Sequence, residues 1–295
     1  MSYERLNNCP VCGKEEFKNF LVVTDNSVSK ESFVIVECEN CTFKFTNPRP
    51  DEESIGSYYE SEDYISHTNT KTGIINRAYH VVRSITTKQK VELINRCSPG
   101  KGAILDYGCG TGVFLTACKK DGWQVRGVEP STRAREQAAE TIGQTIATNL
   151  SELPDEKYQL ITLWHVLEHI HQLNETIKEL ISHLTDDGTL IIAVPNADSH
   201  DAKQYKENWA AYDVPRHLYH FTQQTMKRFL KKHKMTLQEV LPMKFDAYYV
   251  SMLSEKHKEG KTKMISSVVN GFKSNNYAEK NGNDYSSLIY VAKRK

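Results

Sequence analysis

The chain has 295 residues, 39% of them hydrophobic and 25% charged, an ordinary globular composition with room for one large domain and a small one. Its formal net charge of +1 excludes a global field for nucleic acid or an anionic membrane, leaving at most a local patch. The longest apolar runs, such as Leu160 to Leu167 and Leu190 to Val194, are far too short to span a bilayer, and Met1-Ser2-Tyr3-Glu4-Arg5 lacks the apolar core of a signal peptide, so a cytoplasmic location is expected.

Four of the seven cysteines form two C-x-x-C pairs, which argues for metal rather than for a disulfide framework. Cys97, Cys109 and Cys118 read as incidental buried thiols. Cys9-Pro10-Val11-Cys12-Gly13 and Cys38-Glu39-Asn40-Cys41 are thiolate knuckles separated by 25 residues, the arrangement that closes a tetrahedral zinc site with four thiolate ligands. Phe33 to Glu37 reads as a strand delivering the second knuckle, with Phe17 to Val23 as its partner. Residues 1–47 thus resemble a zinc ribbon. Four filled ligand positions leave none for water, so the metal is expected to be structural and to substitute for a core too small to fold alone. A linker, 48–98, follows: Pro48-Arg49-Pro50, the tyrosine-rich stretch Tyr58 to Tyr64, and one or two helices over Ile74 to Asn95. The tyrosines suit either a cover over a cleft or packing between two modules.

Apolar residues 103 to 105 suit a buried parallel strand, and Asp106-Tyr107-Gly108-Cys109-Gly110-Thr111-Gly112 then lets the backbone turn sharply against a ligand. Val113-Phe114-Leu115 begin a helix, and Gln124 to Val128 form the next strand. That strand ends in Glu129, whose carboxylate can accept both hydroxyls of a ribose, before Pro130 and the N-cap Ser131. The third glycine of the dinucleotide fingerprint is missing, since residue 113 is Val. The charge of Asp106 also disfavours a pyrophosphate and welcomes a cationic amino-acid end. A nicotinamide oxidoreductase is therefore a poor alternative.

A helix (Arg133 to Thr141) and a short strand (Gln144 to Ala147) lead to Thr148-Asn149-Leu150-Ser151-Glu152-Leu153-Pro154. Tyr158 to Trp164 is a buried strand carrying His165-Val166-Leu167-Glu168-His169 at its carboxyl end, where ligands of open parallel sheets bind. Glu175 to Leu184 is an amphipathic helix, Asp187-Gly188 a turn and Thr189 to Val194 a strand. Phe221 to Lys232 is a helix with Met226, Phe229 and Leu230 inward, and Leu237 to Leu241 and Ser287 to Lys293 are the last strands.

The segment from Ile104 to Glu129 resembles motif I of the class I S-adenosylmethionine (SAM) methyltransferases, and residues 99–295 resemble their whole domain. Joined to a zinc ribbon, the chain is similar to the branch near the ubiquinone-biosynthesis O-methyltransferases. The resemblance implies a doubly wound, seven-stranded Rossmann-like α/β sheet, insertions at 196–221 and 255–284, the second long and polar, and a final antiparallel hairpin at the sheet edge. It implies SAM held by Asp106, Gly108, Gly110, Gly112, Glu129, Pro130, Asn149, Leu150 and His165, with Asn149 or a neighbour replacing the usual adenine-binding Asp. It also implies that Tyr59 and Tyr64 of the YY-x-x-x-x-Y segment cover the cleft, and that the loop of Asp213 to Phe221 brings Arg216 and Tyr219 to the acceptor. Glu168-His169 matches the end of E-x-x-E-H, a divalent-metal motif of ubiquinone O-methyltransferases and plant-type small-RNA terminal 2'-O-methyltransferases; here His165 stands for the first Glu.

Methyl transfer from a sulfonium is an in-line displacement, so the protein aligns a nucleophile and removes its proton. His165, His169 and His217 are the candidates for base or substrate contact, against the plain alternative that each only hydrogen-bonds the core. The expected acceptor is a small molecule, with Trp209, Tyr212, Tyr219 and Phe221 pointing to an apolar or aromatic one, and O-methylation is expected ahead of N- or C-methylation. Two other readings stand beside it. An RNA-modifying methyltransferase would grip RNA with the ribbon, but the balanced charge and the lack of an N/D-P-P-Y/F tetrad at His165 to Glu168 argue against nucleic acid. A non-catalytic SAM-binding scaffold would need the cofactor loop alone.

Overall fold

A computed structural model of the chain describes residues 2–59, 74–261 and 263–294, with backbone alone over 74–79; Tyr64 lies outside the described residues. The first strands are β1 Tyr3–Glu4, β2 Phe17–Thr24, β3 Ser32–Cys38, β4 Lys44–Thr46 and β5 Arg49–Pro50. Helix α1 Ile74–Cys97 follows, then β6 Ala103–Tyr107, α2 Val113–Lys120, β7 Gln124–Val128 and α3 Thr132–Ile142. Next come β8 Tyr158–Trp164, α4 Leu173–Ser182, β9 Leu184–Pro195, α5 His200–Tyr205, β10 Tyr219–His220 and α6 Gln223–Lys232. The last elements are β11 Met235–Pro242, α7 Asp246–Glu259, α8 Met264–Lys280 and β12 Ser287–Arg294.

The large sheet has the order β11-β12-β9-β8-β6-β7, with β9, β8, β6 and β7 parallel and β12 antiparallel to both of its neighbours. Its central strands are apolar almost throughout because both faces are covered: Leu160, Ile161, Leu163, Leu190, Ile191 and Ile192 are fully buried. The sheet has six strands rather than the expected seven. Gln144–Ala147 is reduced to a single bridge between Val128 and Ala147, because only Ile146 of that short run is buried deeply enough to anchor it. The expected turn at Asp187-Gly188 is a bulge inside β9, whose register on β8 jumps from Tyr158↔Leu184 to Leu160↔Thr189. Met226, Phe229 and Leu230 of α6 are buried as their spacing requires, and Thr222 and Thr225 close a capping box at its start.

The insertion over 255–284 is not a polar excursion. Its residues form the end of α7 and the whole of α8, whose inward face is made of small side chains and whose apolar side chains point outward.

The ribbon is a four-stranded sheet of order β10-β4-β3-β2, so a strand from far along the chain, Tyr219–His220, completes it. One face packs Val23, Phe33 and Ile35 against Tyr58, Trp209, Tyr212 and Val214. Beside the knuckles, Val36, Phe43 and Phe45 join Tyr219 and Phe221 in the core of the large sheet. Packing is continuous across residue 47, since ribbon side chains share both clusters with residues of the rest of the chain. Among the described residues no helix is long and apolar enough to cross a membrane.

Candidate functional site

The carboxyl ends of β6, β7 and β8 converge on one crevice. Gly108 and Gly112 have φ of 77° and 75°, and a Cβ at Gly108 would stand 2.5 Å from Val166 Cγ2 while one at Gly112 would stand 3.1 Å from Ala138 Cα. Glycine is required at both. Glu129 is buried at the end of β7, where Oε2 accepts from Gly110 N at 2.8 Å and Oε1 from Ser131 N at 2.9 Å. Asp106 is 3% exposed and accepts from Thr162 Oγ1 at 2.6 Å. Burial raises its carboxyl to about 7, against the opposing pull of Thr162 and Lys90. Two cations of α1 reach over this loop: Arg83 donates to Thr111 Oγ1 at 3.4 Å, and Lys90 Nζ lies 4.2 Å from the Trp164 ring centroid. Pro130 and Asn149 are exposed and Leu150 is buried beside the loop; the Asn149 side chain caps a short turn by accepting from Ser151 N at 3.0 Å.

His165 ends β8 with φ of 56°. Its Nε2 is 3.1 Å from Asp246 Oδ2 and its Nδ1 is 3.4 Å from Glu168 Oε1. Desolvation lowers its pKa, but the Asp246 and Glu168 carboxylates outweigh that and raise it to about 9. Near neutrality it is a cation with no free lone pair, which argues against the base role expected of it.

The next turn, Leu167–His169, buries Glu168 completely, and neither carboxylate oxygen has a hydrogen-bond partner among the described residues. At 3.4 Å His165 neutralises this charge without closing a hydrogen bond. His169 is pushed down to about 4 by burial and by His217. Its Nδ1 is 3.0 Å from both the Arg216 carbonyl and the Tyr59 hydroxyl. His217 Nδ1 is 2.9 Å from the Ala211 carbonyl, its Nε2 is 4.0 Å from Asp213, and its ring meets that of His169 edge-on at 4.6 Å. With each Nδ1–H donating to a carbonyl, Nε2 is the nitrogen left for a ligand or a proton. Ligand atoms of Glu168, His169 and His217 lie within 4.8 Å of one another.

Arg216 and Tyr219, expected at the acceptor, are instead built into the junction with the ribbon. Arg216 is 1% exposed, with Nη2 at 2.6 Å from Asp213 and 3.0 Å from Asp25, Nε at 3.0 Å from Asp213, and Nη1 at 2.8 Å from the Tyr58 carbonyl. Tyr219 is buried, donates to the His171 carbonyl at 3.0 Å and lies beneath Arg49. Replacing Arg216 with methionine is expected to cost about 3 kcal/mol in urea unfolding, because the buried Asp25 and the half-buried Asp213 carboxylates lose their counter-charge; a loss under about 1 kcal/mol would refute the brace. Trp209, Tyr212 and Phe221 are likewise core residues.

A cavity of about 650 Å³ opens between α1 and residues 241–246, lined by Leu93, Leu241, Met243, Phe245 and Ile289, with Lys90 and Asp246 at the end nearest His165. Arg83, Lys90 and Asp246 were not singled out by sequence. Only their carriage on elements that return to the crevice marks them.

The four ribbon sulfurs also lie within 4.8 Å of one another, with Cys9–Cys41 and Cys12–Cys38 both at 3.5 Å. That is too long for a disulfide, but tetrahedral zinc with bonds of about 2.3 Å places sulfurs about 3.8 Å apart. Burial pushes the Cys41 thiol up to about 11 and Cys9 further, whereas at Cys12 burial is outweighed by hydrogen bonds from Lys14 and Asn40, which bring the thiol down to about 7. Ionising Cys9 and Cys41 is thus what a bound cation would have to drive.

A family profile described as a methyltransferase domain matches residues 82–240, more than half of the chain. An uncharacterized methyltransferase of Staphylococcus carnosus is 27% identical over 137 residues, covering 45% of this chain and 65% of that protein. The ubiquinone biosynthesis O-methyltransferase of Rickettsia felis is 28% identical over 102 residues, covering 32% of this chain and 41% of that one. The chain thus matches from 41% to 65% of the length of these curated relatives. Magnesium protoporphyrin IX methyltransferase (ChlM) from Synechocystis PCC 6803, with bound S-adenosylhomocysteine (SAH), superposes with a TM-score of 0.55 at 15% identity over 83% of this chain and 100% of that one. The plantazolicin methyltransferase BpumL in complex with SAH gives 0.51 at 15% identity, over 81% and 93%. At such identities these likenesses establish the fold.

Proposed function

Because the chain belongs to the methyltransferase-domain family, we propose that it is a SAM-dependent methyltransferase that methylates an oxygen of a small acceptor brought to Glu168, His169 and His217. The observation that carries this reading is one wholly buried carboxylate, Glu168, grouped with two imidazoles in the turn that follows Val166, whose side chain packs against Gly108 of the glycine loop. On this reading Glu129 accepts the ribose hydroxyls, Gly108, Gly110 and Gly112 let the backbone approach the cofactor, and Asp106 meets its cationic amino group. Pro130, Asn149 and Leu150 flank the adenine.

His169, held uncharged, takes the proton from the acceptor hydroxyl, and His217 shares that position across the ring contact. His165, a cation between Asp246 and Glu168, is a positioning residue that fixes the β8 turn and the start of α7. Tyr59 orients the His169 ring. The orphaned Glu168 carboxylate with His169 and His217 also fits a divalent cation, which when bound would supply Lewis-acid activation of the acceptor hydroxyl. The four ribbon thiolates fit structural zinc.

Calorimetric titration with SAH at pH 6 and pH 8 tests the cofactor assignment. The Asp106 carboxyl, raised to about 7, is mostly neutral at pH 6 and mostly ionised at pH 8. Only the anion pairs with the cofactor's ammonium, so SAH is expected to bind roughly tenfold more tightly at the higher pH. Asp106→Asn is expected to bind weakly at both. An affinity independent of pH in the wild type, or preference for NADH, would overturn the assignment.

A further inference from the structure

Helix α8 is turned the wrong way round for an ordinary surface helix. Ser267, Gly271, Ser274 and Ala278 are buried, while Ile265, Val268, Val269 and Phe272 are 83%, 53%, 43% and 62% exposed. The four apolar residues recur at i, i+3, i+4 and i+7 and make one stripe about 100° wide, the pattern normally turned to a core. The helix cannot roll to bury them. A Cβ on Gly271 would stand 2.9 Å from Tyr248 Cα, Ser274 Oγ donates to Asp201 at 3.0 Å, and Asn270 Nδ2 donates to Glu255 at 2.8 Å and to the Tyr205 hydroxyl at 2.9 Å.

The charges around the stripe select its partner. Residues 256–273 hold five lysines against the single Glu259, which is tied to Lys263, in a chain whose net charge is only +1. An apolar stripe that follows a lysine-rich stretch and runs up to Lys273 suits a surface with anionic headgroups above acyl chains. Two copies of this face would set lysines against lysines. We infer that α8, with the lysine-rich turn that precedes it, is an interfacial helix that docks the protein on anionic lipid bilayers, with Ile265, Val268, Val269 and Phe272 entering the headgroup boundary. This goes beyond the methyl-transfer reading and does not depend on it.

Flotation of the full chain with vesicles decides it. Wild type is expected to float with mixed phosphatidylcholine and phosphatidylglycerol vesicles, less at high salt, and not with phosphatidylcholine alone. Ile265→Ser/Phe272→Ser should lower the partition coefficient by at least about tenfold and Lys258→Gln/Lys261→Gln several-fold. Both variants should keep the wild-type circular dichroism and SAH affinity, since the four side chains are exposed. No flotation of the wild type, or undiminished flotation of the Ile265→Ser/Phe272→Ser variant, would overturn the inference. So would a solution dimer that Phe272→Ser dissociates, which would make a second copy of the chain the occupant.

Discussion

Cys38→Ser is expected to lose bound zinc and to unfold at least about 10 °C below the wild type. Cys38 is fully buried, and its sulfur stands 3.5 Å from that of Cys12. Structural zinc sites contribute about 10 kcal/mol or more of apparent binding energy in isolated fingers. Even about 4 kcal/mol of that, in a domain of this size, shifts the melting point by roughly 10 °C. The loss would not stay within the ribbon. β4 pairs with β10, Thr46 Oγ1 donates to the His217 carbonyl at 3.0 Å, and Phe43 and Phe45 share a core with Phe221 and the large sheet. Metal analysis together with a thermal scan checks this: a zinc-free Cys38→Ser protein melting at the wild-type temperature would show that the cluster is not structural.

Glu168→Gln is expected to lower kcat by about 10²–10⁴-fold while changing SAH affinity by less than about twofold. The substitution keeps size and shape but removes the one wholly buried carboxylate that touches His165 and borders His169 and His217. It lies one turn past the strand end and away from the Glu129 and Asp106 carboxylates that meet the glycine loop, so cofactor binding is the built-in control for folding. Activity within threefold of wild type, at unchanged SAH affinity, would remove Glu168 from the chemistry and the divalent-cation fit with it.

The parts legible in the sequence are those that local pattern dictates. Ile104-Leu105 and Leu160 to Leu163 announce strands covered on both faces, three glycines at alternate positions announce a turn with positive φ, and paired C-x-x-C knuckles announce a metal cluster. What escaped depends on chain segments far apart. Arg216 reads as a contact to the acceptor until Asp25, 191 residues away, is found beside it. Lys90 looks like one of many surface lysines, yet it reaches Trp164 and the field of Asp106. The 255–284 stretch reads as polar because its lysines, serines and asparagines outnumber its apolar residues. Only the fold reveals that the serines face inward and Phe272 outward. The aromatic residues Trp209 and Tyr212 hinted at an acceptor, but burial against Val23 and Phe33 consumes them.

The insertion of β12 between β9 and β11 carries a lesson about how the chain is made. β9 ends at Pro195 and β11 at Pro242, but the strand that joins them comes from Ser287–Arg294. On the ribosome, both strands must therefore wait with naked edges while the two intervening helices are synthesised, a period when the half-made sheet is open to pairing with other chains. Closure then arrives in a single step between segments distant in sequence, the slow kind of folding event. A ribosome stalled after β11 would hold a finished ribbon and cofactor loop beside a sheet divided in two, a natural client for a chaperone that shields strand edges.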